Sequence, residues 1–160
     1  GGRAAGISAS AGTLHLTRAY VLNHAETGLA VGHGVAFDIT NTVIAGNGSS
    51  GVTLGSYTGT GPARFAFNTV VNNSYGGVVC PAMGHTLTGT LGHHNGTFDV
   101  NPNCITNVTT STVAAMFGSN FHLTASSPCV NAGGPTCPAD DIDGEARPKG
   151  TACDCGADEF

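Results

Sequence analysis

The sequence predicts an all-β chain wound as a single β-solenoid of about four to five short turns, on two observations. The first is composition. Charged residues make up 9% of the 160, glycine contributes 25, and Thr, Ser and Asn are abundant. Amphipathic helices need more Lys, Glu, Arg and Leu than this, whereas β-branched residues broken by Gly and Asn suit short strands and tight turns. The second is a repeat. An apolar step followed by Asn recurs at Val21-Leu22-Asn23, Val43-Ile44-Ala45-Gly46-Asn47, Val70-Val71-Asn72-Asn73 and Leu91-Gly92-His93-His94-Asn95. Taking Asn23, Asn47, Asn73 and Asn95 as equivalent gives spacings of 24, 26 and 22, the turn lengths of a parallel β-helix.

The elements follow in chain order. Leu14-x-Leu16, Phe37-x-Ile39 and Phe65-x-Phe67 alternate apolar with polar or small residues, as strands with one face in a core do. Thr42 and Thr69 are expected at one turn position, in Asn41-Thr42-Val43 and Asn68-Thr69-Val70. The four repeated asparagines are assigned a structural ladder: Asn tolerates the left-handed conformation of a sharp turn, and its amide can bond to its equivalent one turn away. Gly46-Asn47-Gly48 and Gly59-Thr60-Gly61-Pro62 read as variable connections, the second protruding near Tyr57. Thr109 to Thr112, followed by Val113 to Phe117, reads as a short helix or turn. Residues 1–105 are therefore assigned to the solenoid, and 106–160 to a last strand and a folded-back segment closing its C-terminal end.

The tail has a pattern of its own: Phe121-His122-Leu123, Ser127-Pro128-Cys129-Val130-Asn131-Ala132-Gly133, Asp141-Ile142-Asp143-Gly144-Glu145-Ala146-Arg147-Pro148 and Asp154-Cys155-Gly156-Ala157-Asp158-Glu159-Phe160. It closely resembles the end of bacterial right-handed parallel β-helix repeat proteins of the cell surface, in the wider pectate-lyase-like superfamily. The resemblance implies a right-handed solenoid in which Ser127 to Gly133 forms the last strand and turn, with Asp154 to Phe160 alongside. It places Cys129 beside Cys155. On that register Cys137 is expected to pair with Cys153 and Cys80 with Cys104, although six cysteines allow fifteen pairings. Relatives often continue into a sorting or anchoring segment, and Gly1-Gly2-Arg3 reads as a cut from something longer.

Charge and cysteine usage narrow the function classes. The formal charge is −5, but Asp140, Asp141, Asp143, Glu145, Asp154, Asp158 and Glu159 all lie in the tail, and the few Arg and Lys form no basic stripe for a phosphate backbone. Nucleic acid is excluded as a partner, and no apolar run is long enough for a membrane span. The six cysteines form an even set without zinc-ribbon spacing, which points to disulfides and an extracellular, secreted or cell-surface location.

Candidate sites are few. Asp140-Asp141-Ile142-Asp143-Gly144 offers clustered hard oxygens before a turn, so Asp141 and Asp143 are candidate calcium ligands, weighed against a plain turn in which Arg147 pairs with Asp158 or Glu159. Polysaccharide-cleaving enzymes of the resembled superfamily need clustered carboxylates with a base. The body supplies Glu26, Asp38 and Asp99 on separate turns, so no catalytic constellation is expected. His15 and Asp38 are expected side by side on an outer face, and with Tyr57 they are the candidate glycan contacts. His93-His94, with His85, offers imidazoles, but neighbours in a strand point to opposite faces. Asn47, Asn72, Asn95 and Asn107 head glycosylation-type sequons. The expected function is a non-enzymatic extracellular β-helix module with a structural, adhesive or self-assembling role, stacking end to end through its N-terminal edge. The alternative is a fragment of a polysaccharide lyase or hydrolase, or a carbohydrate-binding module.

Overall fold

The computed structural model describes residues 4–81, 84–106 and 116–160. The chain winds through two parallel sheets in about four turns. The first sheet holds β1 (Ile7–Ala9), β3 (Leu29–Val31), β5 (Ser50–Leu54), β8 (Gly76–Val79) and β11 (Phe98–Val100), in that order. In the second, β2 (Thr13–Leu22) pairs with β4 (Ala36–Ala45), and the following turns split into β6 (Ala63–Ala66) with β7 (Thr69–Val71) and β9 (Thr86–Thr88) with β10 (Leu91–His93). A last strand, β12 (Ile105–Thr106), lies beside β9. The register stacks like on like: Ile7, Leu29, Val52 and Val78 form one column, and Ile39, Phe65 and Leu87 another. These columns face inward, where Leu29, Phe37, Ile39, Phe65 and Leu87 are essentially sealed from water. Burying side chains of this size contributes about 1.5–3 kcal/mol each.

Two corners in every turn take the left-handed conformation. At the first, Arg18, Asn41, Phe67 and Gly89 have φ between 48° and 55°; at the second, Asn23, Gly46, Asn72 and His94 have φ between 55° and 67°. The corner at Phe67 separates β6 from β7. An L-residue at such a corner costs about 1–2 kcal/mol, which burial offsets at Phe67, packed among Ala66, Cys137 and Cys153.

The asparagine ladder stands one residue beyond the second corner. Asn47 Nδ2 donates to Asn73 Oδ1 at 2.8 Å, and Asn73 Nδ2 donates to Asn95 Oδ1 at 2.8 Å. Each acceptor oxygen also takes the backbone N–H of the preceding turn's residue. Asp99 ends the column, its Oδ1 accepting both the N–H and the side-chain amide of Asn95. Asn23 is not a rung of this ladder. Leu22 pairs with Ala45, which puts Asn23 beside Gly46 at the left-handed corner and His24 at the ladder position. The same offset separates the threonines. Val43 pairs with Thr69, so Thr42 sits beside Asn68, whose Oδ1 accepts the Thr42 N–H at 3.0 Å.

The tail, residues 116–160, lies along the flank of the solenoid rather than across the C-terminal end assigned to it from sequence. Outward-facing Val43, Ala45 and Val71 are covered by Ile142 and Ala157, and Leu91 by Leu123, Cys129 and Cys155. The physical reason is in the second half of β4, where Val43 and Ala45 face outward and, with Val71, present an apolar strip that the tail buries. Gly156 sits at the contact with φ 97°, where a Cβ would come within 2.7 Å of Thr69 Oγ1. Ser127 to Gly133 is a run of turns, not a strand, joined to the last segment by Cys155 N–H to Cys129 O at 3.0 Å and Gly133 N–H to Cys153 O at 2.7 Å. Three disulfides join Cys80 to Cys104 inside the solenoid core, and Cys129 to Cys155 and Cys137 to Cys153 in the tail. Of the helix or turn expected over 109–117, residues 109–115 lie outside those described, and Phe117 forms an antiparallel bridge with Leu123.

Candidate functional site

The acidic tail motif works first as a clamp on backbone N–H groups. Asp141 Oδ1 accepts from the N–H of Asp143 at 2.9 Å and of Glu145 at 2.8 Å, and its Oδ2 accepts from Glu159 N–H at 3.1 Å. Asp154 accepts from Asn131 and Phe160, and Glu159 from Lys149 and Asp154. Arg147 closes this network from a fully buried position: its Nε lies 3.6 Å from Glu159 Oε2, its NH2 donates to Gly156 O at 3.0 Å, and its guanidinium stacks 5.1 Å from the centre of the Phe67 ring. Asp141 thus holds together the turn that the Asp-x-Asp-Gly-Glu spacing builds.

Asp143 points elsewhere. Its Oδ2 lies 3.4 Å from His122 Nδ1, and the same nitrogen lies 3.1 Å from Asp158 Oδ1. The ligand atoms of all three side chains lie within 4.8 Å of one another. Asp158 is 4% exposed, and its Oδ2 takes the Leu123 N–H at 2.6 Å. Its Oδ1 is buried and receives no hydrogen bond: the His122 ring is near, but not aligned to donate. Burial raises the Asp158 carboxyl above its ordinary pKa, opposed by the Leu123 N–H and His122, and reinforced by Asp141 and Asp143. Tyr20, on β2, Leu22, Asn120 and Phe121 form the rest of a groove that opens over this cluster. Burial, then Asp143, Asp158 and Asp141, also raise the pKa of the Tyr20 hydroxyl. Sequence reading missed His122 and Asp158. The Phe-His-Leu step stood in the tail pattern, but nothing local joins it to residues 21 and 36 positions later.

On the opposite part of the second sheet the outer row runs His15, Asp38, Arg64, Thr86 across adjacent strands. His15 and Asp38 are in register as expected, and Arg64 NH1 lies 3.6 Å from Asp38 Oδ1. Tyr57 is turned onto its own loop, where its hydroxyl accepts the Gly61 N–H at 2.7 Å. The other candidates separate. His93 and His94 do not point to opposite faces, since His94 takes a left-handed φ of 55° and the rings stack 4.0 Å apart. His85 is buried, with Nε2 at 2.8 Å from Gly55 O and its ring edge-on to Phe37. Of the sequon residues, Asn47 and Asn95 are buried in the ladder, Asn72 is exposed, and Asn107 lies outside the described residues.

No protein-family model, curated protein or solved structure matches this chain. Three disulfides with no free cysteine among the described residues match an oxidising environment, and no described helix is long and apolar enough to cross a membrane.

Proposed function

We propose that this protein is a non-enzymatic, secreted or cell-surface β-helix module that acts structurally, by stacking end to end with further copies of itself. The observation that carries the reading is the edge of the N-terminal turn. Among the described residues β1 pairs only with β3 and β2 only with β4, so one side of the ten-residue β2 offers unpaired backbone groups. Beneath that edge Ile7, Ala9, Leu14 and Leu16 pack on the core yet stay partly open to solvent. A long unpaired edge over apolar side chains is a template for another strand. At the far end, among the described residues, β10, β11 and β12 each have one neighbour and run in the same direction, so a head-to-tail stack would continue both sheets in parallel. The clamped tail and the disulfides suit a protein that must persist outside the cell.

The test is the assembly state of the non-reduced protein, by light scattering across concentration and by electron microscopy. Concentration-dependent rods that disappear in Leu14→Lys/Leu16→Lys support the reading, and a strict monomer at all concentrations removes self-assembly as the role. A second reading, glycan contact or cleavage on the outer face, is favoured by the His15, Asp38, Arg64 row. It predicts retardation in gels containing acidic polysaccharide that is lost in Arg64→Ala, and unchanged behaviour of that variant and of Asp38→Asn counts against it.

A further inference from the structure

We infer that His122, Asp143 and Asp158 form a binding site for one divalent transition-metal ion of the zinc type, which cross-links three separate segments of the tail. Nothing in the proposed assembly requires this ion.

The donor set comes first. One imidazole nitrogen and two carboxylate oxygens converge, each from a different segment, with separations of 3.1 and 3.4 Å from His122 Nδ1. A tetrahedral ion bonded at about 2.0–2.1 Å holds neighbouring ligand atoms about 3.3 Å apart, which the two separations from His122 Nδ1 match, while the two carboxylate oxygens lie within 4.8 Å of each other and close on the ion by rotation of the exposed Asp143 side chain. Calcium and magnesium prefer all-oxygen shells, so the imidazole turns the choice toward zinc and its neighbours.

A second observation is independent of the clustering. Asp158 Oδ1 is a buried carboxylate oxygen with no hydrogen-bond donor, on a residue 4% exposed, and it faces this cluster. Leaving a charged acceptor unsatisfied costs more than the about 1–3 kcal/mol of a neutral group, and a cation bound between the three side chains removes that cost. The His122 ring does not remove it. Its Nδ1 lies 3.1 Å from the oxygen, yet no hydrogen bond forms between them. The other oxygen, Oδ2, is fixed by the Leu123 N–H at 2.6 Å, which orients the carboxylate as an outer-shell partner should. Three protein ligands would leave one position of a tetrahedral ion for water, and the groove bordered by Tyr20, His122 and Asp143 gives solvent access to the cluster.

The ion would tie the segment at His122 to the Asp143 turn and to the final segment at Asp158, and so act as a fourth cross-link beside the disulfides. The experiment is calorimetric titration of the non-reduced, untagged, chelator-treated protein with zinc chloride, with calcium chloride in parallel, and a thermal melt with and without zinc. The expected result is one zinc per chain, a higher Tm with zinc, and no comparable response to calcium. Asp143→Asn, at an exposed position, and His122→Ala should each lose zinc binding by at least tenfold while retaining the metal-free melt. His93→Ala/His94→Ala, which removes the stacked imidazole pair, should keep both binding and the zinc-dependent rise. No zinc binding in the wild type, or binding abolished by the His93/His94 change and kept in His122→Ala and Asp143→Asn, overturns the assignment and leaves an ordinary His-carboxylate ion pair.

Discussion

Arg147 Nε lies 3.6 Å from Glu159 Oε2, and neither side chain is exposed to solvent. Burial disfavours the Arg147 charge, and Glu159, Asp141, Asp154 and Asp158 oppose that tendency. This pair joins the Asp141 turn to the last segment and, through Phe67, to the solenoid wall.

Arg147→Met should therefore destabilise the protein by about 3–5 kcal/mol, since it strands the Glu159 carboxylate without its cation. Arg147→Met/Glu159→Gln should cost clearly less than the sum of the two single changes. Urea unfolding of the four proteins measures the coupling; strict additivity would show that the pair does not act as a unit.

The offset between corner and ladder predicts opposite responses from neighbouring residues. Asn73→Ala removes the middle of the ladder and leaves the Asn47 amide and the Asn95 oxygen each short of a buried partner, at a cost of about 1–3 kcal/mol. At the left-handed corners, Asn23→Gly and His94→Gly should range from neutral to about 1 kcal/mol stabilising, because glycine adopts φ near 55° without steric cost. Denaturant melts of the three variants decide it. A large loss in Asn23→Gly would put Asn23 back in the ladder.

The disulfides should open in a definite order. Cys80, Cys104, Cys129 and Cys155 are all buried, whereas Cys137 is only half-buried, so graded dithiothreitol should reduce Cys137–Cys153 first. Closing loops of this length contributes about 3 kcal/mol each. Trapping with iodoacetamide followed by peptide mapping gives the order, and simultaneous loss of all three bonds would show global unfolding rather than local access.

Asp158 gives a pH dependence with a determined sign. Its folded pKa is raised, chiefly by burial, so between the unfolded value of about 3.9 and the higher folded value the native state holds more protons than the unfolded one. That contribution is present at low pH and is lost as pH rises through this window. In chelator-treated protein, the Tm of Asp158→Asn relative to wild type should therefore increase from pH 3 toward neutrality, and a difference that shrinks over that range would reverse the assignment. With zinc present the inferred site predicts the opposite ranking near neutral pH, because the wild type alone keeps the carboxylate.

Turn length and alternation were legible in the sequence because a solenoid is nearly one-dimensional: each strand meets the strand about one turn away, so Leu14 to Phe37 and Ile39 to Phe65 repeat a local rule. Cys80 and Cys104, 24 residues apart and about one turn from each other in the solenoid core, follow the same rule. A one-residue offset was not legible, since Asn suits both a left-handed corner and a buried ladder, and only pairing of Leu22 with Ala45 placed Asn23 at the first and Asn47 at the second. Nor was the path of the tail. The apolar outer residues Val43, Ala45 and Val71 required a cover, but which segment supplied it depended on packing of Ile142 and Ala157 against them. The cluster of His122, Asp143 and Asp158 exists only through that packing. Local conformational preference, strand period and repeat length therefore belonged to the sequence, while the residues meeting across distant segments were decided by the tertiary fold, because burial of an apolar face is satisfied by area and shape and leaves no mark at a fixed spacing along the chain.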